Sequence, residues 1–285
     1  MNYHHIYHAG NFADISKHII LILCLEKLHE KPTSFLAIDT HSGIAKYDLG
    51  DEKSLKTGEF IGREIFAKIQ DYLPERYLKI LAKINRCETE NLLENLNYYC
   101  GSPYIIRDYL RRDDRAIFAE LNRQEFVQLK KVFAGSEQFS IINEDGFSLL
   151  KSKLPPLQKR ALVLIDPAFE KDQSVISADY EKIILSLKEG YKRFENGVYL
   201  VWHPIIKNDE SLLENFYKEI SALKFEKKTH VIFDVGSKDD GKMDSCGMFI
   251  FNAPWQLDEK LEKIFSRILP ILKQGENAFF KIKNF

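Results

Sequence analysis

The sequence predicts an α/β fold, a mostly parallel sheet covered by helices, with an antiparallel final strand and a helical insertion. Three observations carry this. From "SPYIIRDYL" onward, apolar runs without polar alternation take turns with helix-period segments, as in "AIFAEL" then "RQEFVQLKKVF", and "ALVLIDP" then "ADYEKIILSLKEGYKRF". Strand, helix, strand repetition of this kind marks a parallel sheet buried on both faces. Two late runs, "THVIFDVG" and "CGMFIFNAPW", have only a short Gly- and Asp-containing loop between them. Parallel neighbours need a long crossover, so these two pair antiparallel. Between about Leu55 and Leu96 the chain is rich in Lys, Glu, Leu and Ile at helical spacing, as in "PERYLKILAKI", which reads as helix with no strand.

In chain order, Asp14 is the expected start of a helix running to Lys31, apolar on most of its circumference and stopped by Pro32. "SFLAIDT" follows as a strand buried on both faces. Residues 1–54 and 97–285 are assigned to the main domain, and 55–96 to the insertion. The later pairs are "FSIINE" with "GFSLLKSKL" and "GVYLVWHPI" with "ESLLENFYKEISAL", and "QLDEKLEKIFSRIL" is a late helix.

Composition narrows the function classes. Forty-one basic against 42 acidic residues leave a net charge of -1, so no uniformly basic surface exists to hold nucleic acid without shape recognition. Four cysteines, Cys24, Cys87, Cys100 and Cys246, form no C-x-x-C pair, which argues against a zinc site or a disulfide framework and for a reducing cytoplasm. "MNYHHIYHAG" has no secretory pattern, and "IILILCL" is too short to span a bilayer. His4, His5 and His8 have no carboxylate or cysteine at ligand spacing, so no metal is expected. The chain is expected to act as a monomer.

In an open sheet of this kind, ligands lie beyond the carboxyl ends of the strands. The strands end in "DTHSG" (Asp39 to Gly43), Glu120, "EDG" (Glu144 to Gly146) and "DPAF" (Asp166 to Phe169). "DTHSGIAKY" has one glycine and fits neither a dinucleotide nor a P-loop fingerprint. Glu120 stands where an acid reaches ribose hydroxyls. Ser102 is the expected N-cap of a helix with Pro103 first inside, presenting free N–H groups to a carboxylate. A ligand with a ribose and a carboxylate but no phosphates fits S-adenosylmethionine. The exocyclic amine of adenine is a poor nucleophile because its lone pair is delocalised into the ring. Asp166 and the Pro167 carbonyl are candidates to accept its N–H groups and favour attack on a sulfonium methyl. Phe169 would stack on the extruded base.

"YHHIYHAGNFADISKH", "LAIDTHSG", "YYCGSPYIIRDYL", "AELN", "EDGF", "LVLIDPAFE", "EGYKRF" and "CGMFIFNAPW" together resemble the RlmJ-type bacterial methyltransferases. The resemblance runs in order from Tyr3 to Trp255. It implies a Rossmann-like fold that uses S-adenosylmethionine to methylate N6 of an adenine in 23S ribosomal RNA, free or partly assembled. It also implies a catalytic Asp166, cofactor contacts from His18, His41, Ser102, Glu120, Asp145, Gly146 and Asp166, and RNA contacts from Tyr3, His4 and Lys17. Three positions depart from the family pattern: Ala168 and Phe169 replace the proline and tyrosine of Asp-Pro-Pro-Tyr, and His4 replaces an arginine. Phenylalanine keeps the stacking face, whereas Ala168 releases a fixed φ. The alternatives are a DNA adenine-N6 methyltransferase and a catalytically weakened nucleic-acid-binding protein linked to the use of external DNA.

Other features read as structure. "YLRRDDR" is a solvated turn, and "KSKLPPLQKR" is an exposed loop on the opposite edge of the sheet. Trp202 and Trp255 fill the core or line a pocket wall, and Asn252 is structural.

Overall fold

The computed structural model describes residues 7–52, 54, 59–169, 173–205, 210–236 and 243–285. Helix α1 (Phe12–His29) buries nearly its whole circumference as far as Leu25. Such a helix is packed on all sides rather than laid on a surface. Its cap is Asn11, whose side chain accepts the Asp14 N–H, and not Asp14 as the sequence led us to expect. The Asp14 carboxylate is engaged elsewhere, accepting the Gly10 N–H at 3.0 Å and pairing with Lys17.

Strand β1 (Phe35–Asp39) is buried at every position. Strands β2 (Lys46–Asp48) and β3 (Tyr98–Cys100) form a separate antiparallel ribbon. Between them lie helices α2 (Arg63–Ile69), α3 (Glu75–Asn85) and α4 (Leu92–Asn95). Their Phe66, Ile69, Tyr77, Ile80 and Leu81 belong to the same apolar cluster as α1. The helical segment therefore has no core of its own.

After it come α5 (Ser102–Tyr109), β4 (Arg115–Ala119), α6 (Arg123–Val132), β5 (Phe139–Ile142), α7 (Gly146–Lys153), β6 (Arg160–Ile165), α8 (Gln173–Phe194) and β7 (Val198–Pro204). The chain ends with α9 (Glu210–Ala222), β8 (Lys228–Asp234), β9 (Ser245–Phe251), α10 (Leu257–Leu272) and β10 (Phe279–Asn284). The eight-stranded sheet has the order β10-β8-β9-β7-β6-β1-β4-β5. The strands from β7 to β5 pair parallel, and β9 runs antiparallel between β7 and β8. Strand β10, which no periodicity in the sequence announced, adds to β8 antiparallel. It has the make-up of an edge: Phe280 and Ile282 pack on the core while Lys281 and Lys283 face solvent. The chain direction across the sheet reverses between β1 and β6, the place where open α/β sheets hold ligands. No described helix is long and apolar enough to cross a membrane.

One expectation changes and another is narrowed. Asp114, within the expected solvated turn, is fully buried. It accepts the Phe35 N–H at 2.9 Å and the Arg111 guanidinium at 2.8 Å, so it pins the start of β1. Burial would raise this carboxyl, but the Arg111 and Phe35 hydrogen bonds outweigh it and hold it low. Of the two places expected for Trp255, the core or a pocket wall, it takes the second. It is 75% exposed, because Asn252 turns the chain outward in a left-handed conformation, held by bonds from its amide to Glu195 and Gly197 carbonyls. There Trp255 walls a surface hollow together with Leu257 and Phe285.

A histidine pair lies under α9. His203 and His230 face each other, Nε2 to Nε2, at 3.1 Å, with Gly247 supplying the room, since a Cβ there would stand 2.3 Å from His203 Nε2. Burial pushes His203 down to about 4, and burial with the charges of His203, Lys281 and Lys283 pushes His230 down to about 2. Both folded values lie below the ordinary 6.5. The unfolded chain thus binds protons first as pH falls, and stability is full above about 6.5 and lost toward 4. Urea unfolding is expected to show a loss on the order of 3 kcal/mol from each of the two histidines over that window. The slope should be shallower in a His203→Phe/His230→Leu double variant; equal slopes contradict the assignment.

Candidate active site

The register places the ends of β4, β1 and β6 side by side, which brings Glu120, Asp39 and Asp166 to one mouth. Asp166 follows the last residue of β6. Its Oδ2 lies 2.6 Å from Lys17 Nζ, which also lies 2.8 Å from Asp14 Oδ1. Lys17 is only 5% exposed, so this residue, expected at the RNA, is instead buried at the candidate catalytic carboxylate. Burial alone would lower its ammonium, but the two carboxylates overcome that and raise it, keeping a fixed positive charge beside Asp166. No described residue takes the other Asp166 oxygen.

Asp39 closes the floor. It is fully buried and accepts the Ser102 hydroxyl at 2.6 Å and the His41 N–H at 3.3 Å. Burial, joined by the charge of Asp166, pushes its carboxyl up to about 7 against the pull of Ser102 and Lys17. Sequence reasoning placed Asp39 at a strand end without giving it a role; a wholly apolar strand ending in Asp was the available signal. Ser102 is corrected in turn. The N-cap of α5 is Gly101, and Ser102 is its first residue, because its hydroxyl is spent on Asp39. The Tyr104 and Ile105 N–H groups return to the Gly101 carbonyl, so this helix start offers fewer free donors than expected.

Glu120 is buried, and its two oxygens accept the Gly43 N–H at 2.8 Å and the Asn122 N–H at 2.7 Å. Burial raises this carboxyl against those two bonds. Gly43 is left-handed, and a Cβ there would stand 2.3 Å from the Tyr47 hydroxyl oxygen. The loop after β1 thus turns over Glu120 only as glycine. On the far side, Asp145 caps α7 by accepting the Phe147 N–H, and Gly146 lies so close to the β1 loop that a Cβ would fall 1.8 Å from the Thr40 carbonyl oxygen. The His41 ring meets Phe147 edge-on at 4.6 Å. Thr40 gives its hydroxyl proton to the Leu164 carbonyl, so it accepts from His41 Nδ1 at 2.7 Å, leaving His41 Nε2 as an acceptor. Burial and Lys182 push His41 down to about 3, and it is neutral at pH 7.

The structure therefore gathers His41, Ser102, Glu120, Asp145, Gly146, Asp166 and Lys17 around one mouth. It sets His18 apart. That ring is 1% exposed, with Nδ1 at 3.1 Å and 3.2 Å from the Tyr77 and Tyr99 hydroxyls, which also bond each other. Pro167 is buried beside Asp166. Phe169 has a left-handed backbone, φ 42°, and its ring packs at 5.4 Å from Tyr180 and 5.8 Å from Trp202. It is part of an aromatic wall rather than a free-standing platform. Trp202, whose Nε1 is buried on the side of Cys246, was given no part in the chemistry by sequence reasoning. Tyr3 and His4 lie outside the described residues. Among the described residues no group of three or more His, Cys, Asp or Glu is placed to hold a metal ion.

Chemically, the mouth carries more carboxylates than cations. Among the described residues, Asp14, Asp39, Glu120 and Asp166 outnumber the nearby Lys17 and Lys182, and burial above all pushes the Asp39 carboxyl up to about 7. A cationic ligand relieves that excess, and the two glycine approaches leave backbone where a side chain would fill the space.

The chain is 36% identical to ribosomal RNA large subunit methyltransferase J of Haemophilus influenzae over 93% of this chain and 91% of that protein. It is 34% identical to the Escherichia coli protein of the same name over 95% of each. A crystal structure of a Legionella pneumophila protein superposes with a TM-score of 0.83 at 28% identity, covering 97% of this chain and 98% of that one. With residues 32–278 matched by the model of the family described as ribosomal RNA large subunit methyltransferase D, RlmJ, the chain belongs to that family.

Proposed function

We propose that the chain transfers a methyl group from S-adenosylmethionine to N6 of an adenine in 23S ribosomal RNA, free or partly assembled. The observation that carries this reading is Asp166, set at the reversal point of the sheet with one oxygen held by Lys17. Family membership supplies the substrate class. The carboxylate excess and the glycine-lined approaches fit a cationic nucleoside cofactor, which when bound supplies an electrophilic methyl on sulfur. Glu120 would hold the ribose hydroxyls, Gly146 and Asp145 the base side, and Ser102 and Asp39 the amino-acid end.

The rest is done by this chain's residues. Lys17 fixes Oδ2 of Asp166, and the other oxygen accepts an N6–H bond from the adenine. That bond turns the lone pair toward the methyl and steadies the positive charge that develops at nitrogen. With the cofactor bound, its sulfur would keep the electron pair of the broken C–S bond as a neutral thioether, and the methylated N6 would pass its proton to the Asp166 oxygen that accepts it and from there to water. Phe169 and Trp202 wall the base. Residues 55–96 serve as an insertion subdomain, and Tyr3 and His4 as RNA contacts. In this reading the chain works as a monomer without a metal.

Incubation with labelled cofactor and unmodified 23S transcript is expected to place label on adenine N6. DNA of the same sequence should take none, because recognition uses the RNA's shape and 2′-hydroxyls. Equal labelling of DNA favours a DNA enzyme. Absence of labelling together with absence of cofactor binding by calorimetry leaves a nucleic-acid-binding protein.

A further inference from the structure

One carboxylate of the helical segment ties down the turn that precedes α1. Glu59 Oε2 accepts the Asn11 amide at 3.1 Å and lies 2.7 Å from His8 Nδ1. The backbone reinforces the contact, since Ile61 donates to the Gly10 carbonyl at 3.2 Å. Gly10 is left-handed there, and a Cβ would meet the Phe60 ring at 2.7 Å, so the turn fits only with glycine.

The link continues inward. Asn11 Oδ1 accepts the Asp14 N–H at 3.0 Å. Asp14 uses one oxygen for the Gly10 N–H at 3.0 Å and the other for Lys17 at 2.8 Å. Lys17 then reaches Asp166 at 2.6 Å. Glu59, Asn11, Asp14, Lys17 and Asp166 thus form one continuous polar chain from the helical segment to the candidate acceptor, with its inner members buried. Chains of this kind fix orientation more tightly than their separate links.

We propose that Glu59 is a positioning residue for methyl transfer: it clamps the turn at residues 8–11 and, through Asn11 and Asp14, sets the Lys17 ammonium against Asp166. The proposal rests on the reading of Asp166 as the group that accepts the adenine amine. Because Glu59 is itself only 19% exposed at its side chain, its charge acts on His8 and Asn11 with limited competition from water.

Glu59→Ala and Glu59→Gln test this in the full chain with cofactor and 23S transcript. Glu59→Ala is expected to lower kcat about tenfold, since small misplacements of a reacting group are costly, with the KM for cofactor changed by less than about twofold. Glu59→Gln keeps an oxygen for Asn11 and should recover part of the loss. Lysine 15Nζ NMR reads the same link without turnover: the Lys17 resonance should move in Glu59→Ala at unchanged melting temperature. An unmoved Lys17 signal overturns the proposal, as does a wild-type kcat in Glu59→Ala, or a loss equal in both variants that follows their melting temperatures. If the wild-type protein methylates nothing while the Lys17 signal still moves, the acceptor reading fails and the structural link stands.

Discussion

Asp166→Asn is expected to lower kcat by about 10²–10³-fold, the usual cost of removing one preorganised group that stabilises transition-state charge. The substitution keeps the size of the side chain and one acceptor oxygen. It removes the negative charge opposite the developing positive charge, and it leaves Lys17 with Asp14 as its remaining carboxylate partner of the two. Cofactor affinity should change by no more than a few-fold, because Glu120, Ser102 and Gly146 are untouched. A second consequence concerns pH. Asp166 is one of the charges that hold the Asp39 carboxyl up, so in the variant Asp39 should titrate lower than in the wild type. Steady-state kinetics with calorimetry of the cofactor checks the first claim, and a carboxyl-labelled NMR titration checks the second. A kcat within a few-fold of wild type removes Asp166 from the chemistry.

Gly146→Ala should have the next largest effect, and through a different route. The added methyl carbon would fall 1.8 Å from the Thr40 carbonyl oxygen and 2.6 Å from its carbon, and neither is the tip of a flexible side chain. Either α7 withdraws or the loop after β1 moves, and both line the mouth. Overpacking of this kind costs about 1–3 kcal/mol, paid here as displacement of Thr40 and His41. Cofactor affinity is expected to fall at least about tenfold, in step with the roughly 1.4 kcal/mol that a factor of ten represents, while far-UV circular dichroism stays unchanged. Binding at wild-type affinity would mean that the two segments do not frame the ligand.

How much of this was legible beforehand follows from where the information sits. The parallel strands were readable because burial on both faces leaves uninterrupted apolar runs such as "ALVLI", and the antiparallel β8–β9 pair followed from a loop too short for a crossover. Strand β10 was not readable: it packs one face only, and its alternating Phe, Lys and Ile are too few to set a period. Asp166 and Glu120 could be found because they directly follow strands, and Gly146 because it opens the helix a short turn after β5. The roles of Lys17 and Asp114 could not, since a charge buried against a distant partner has the same local sequence as a charge in water. Ser102 shows the same limit in reverse. Its position beside a helix start was legible, but its hydroxyl's partner, Asp39, lies 63 residues away.

The triad of His18, Tyr77 and Tyr99 stitches α1, α3 and β3 together at a point where none of the three rings meets water. A segment joined in this way cannot come loose like a bolted-on module: its amides should exchange with solvent only when the central sheet opens as well, so both would melt as one cooperative unit. Excising it would expose the flank of α1 and leave a molecule short of its own interior.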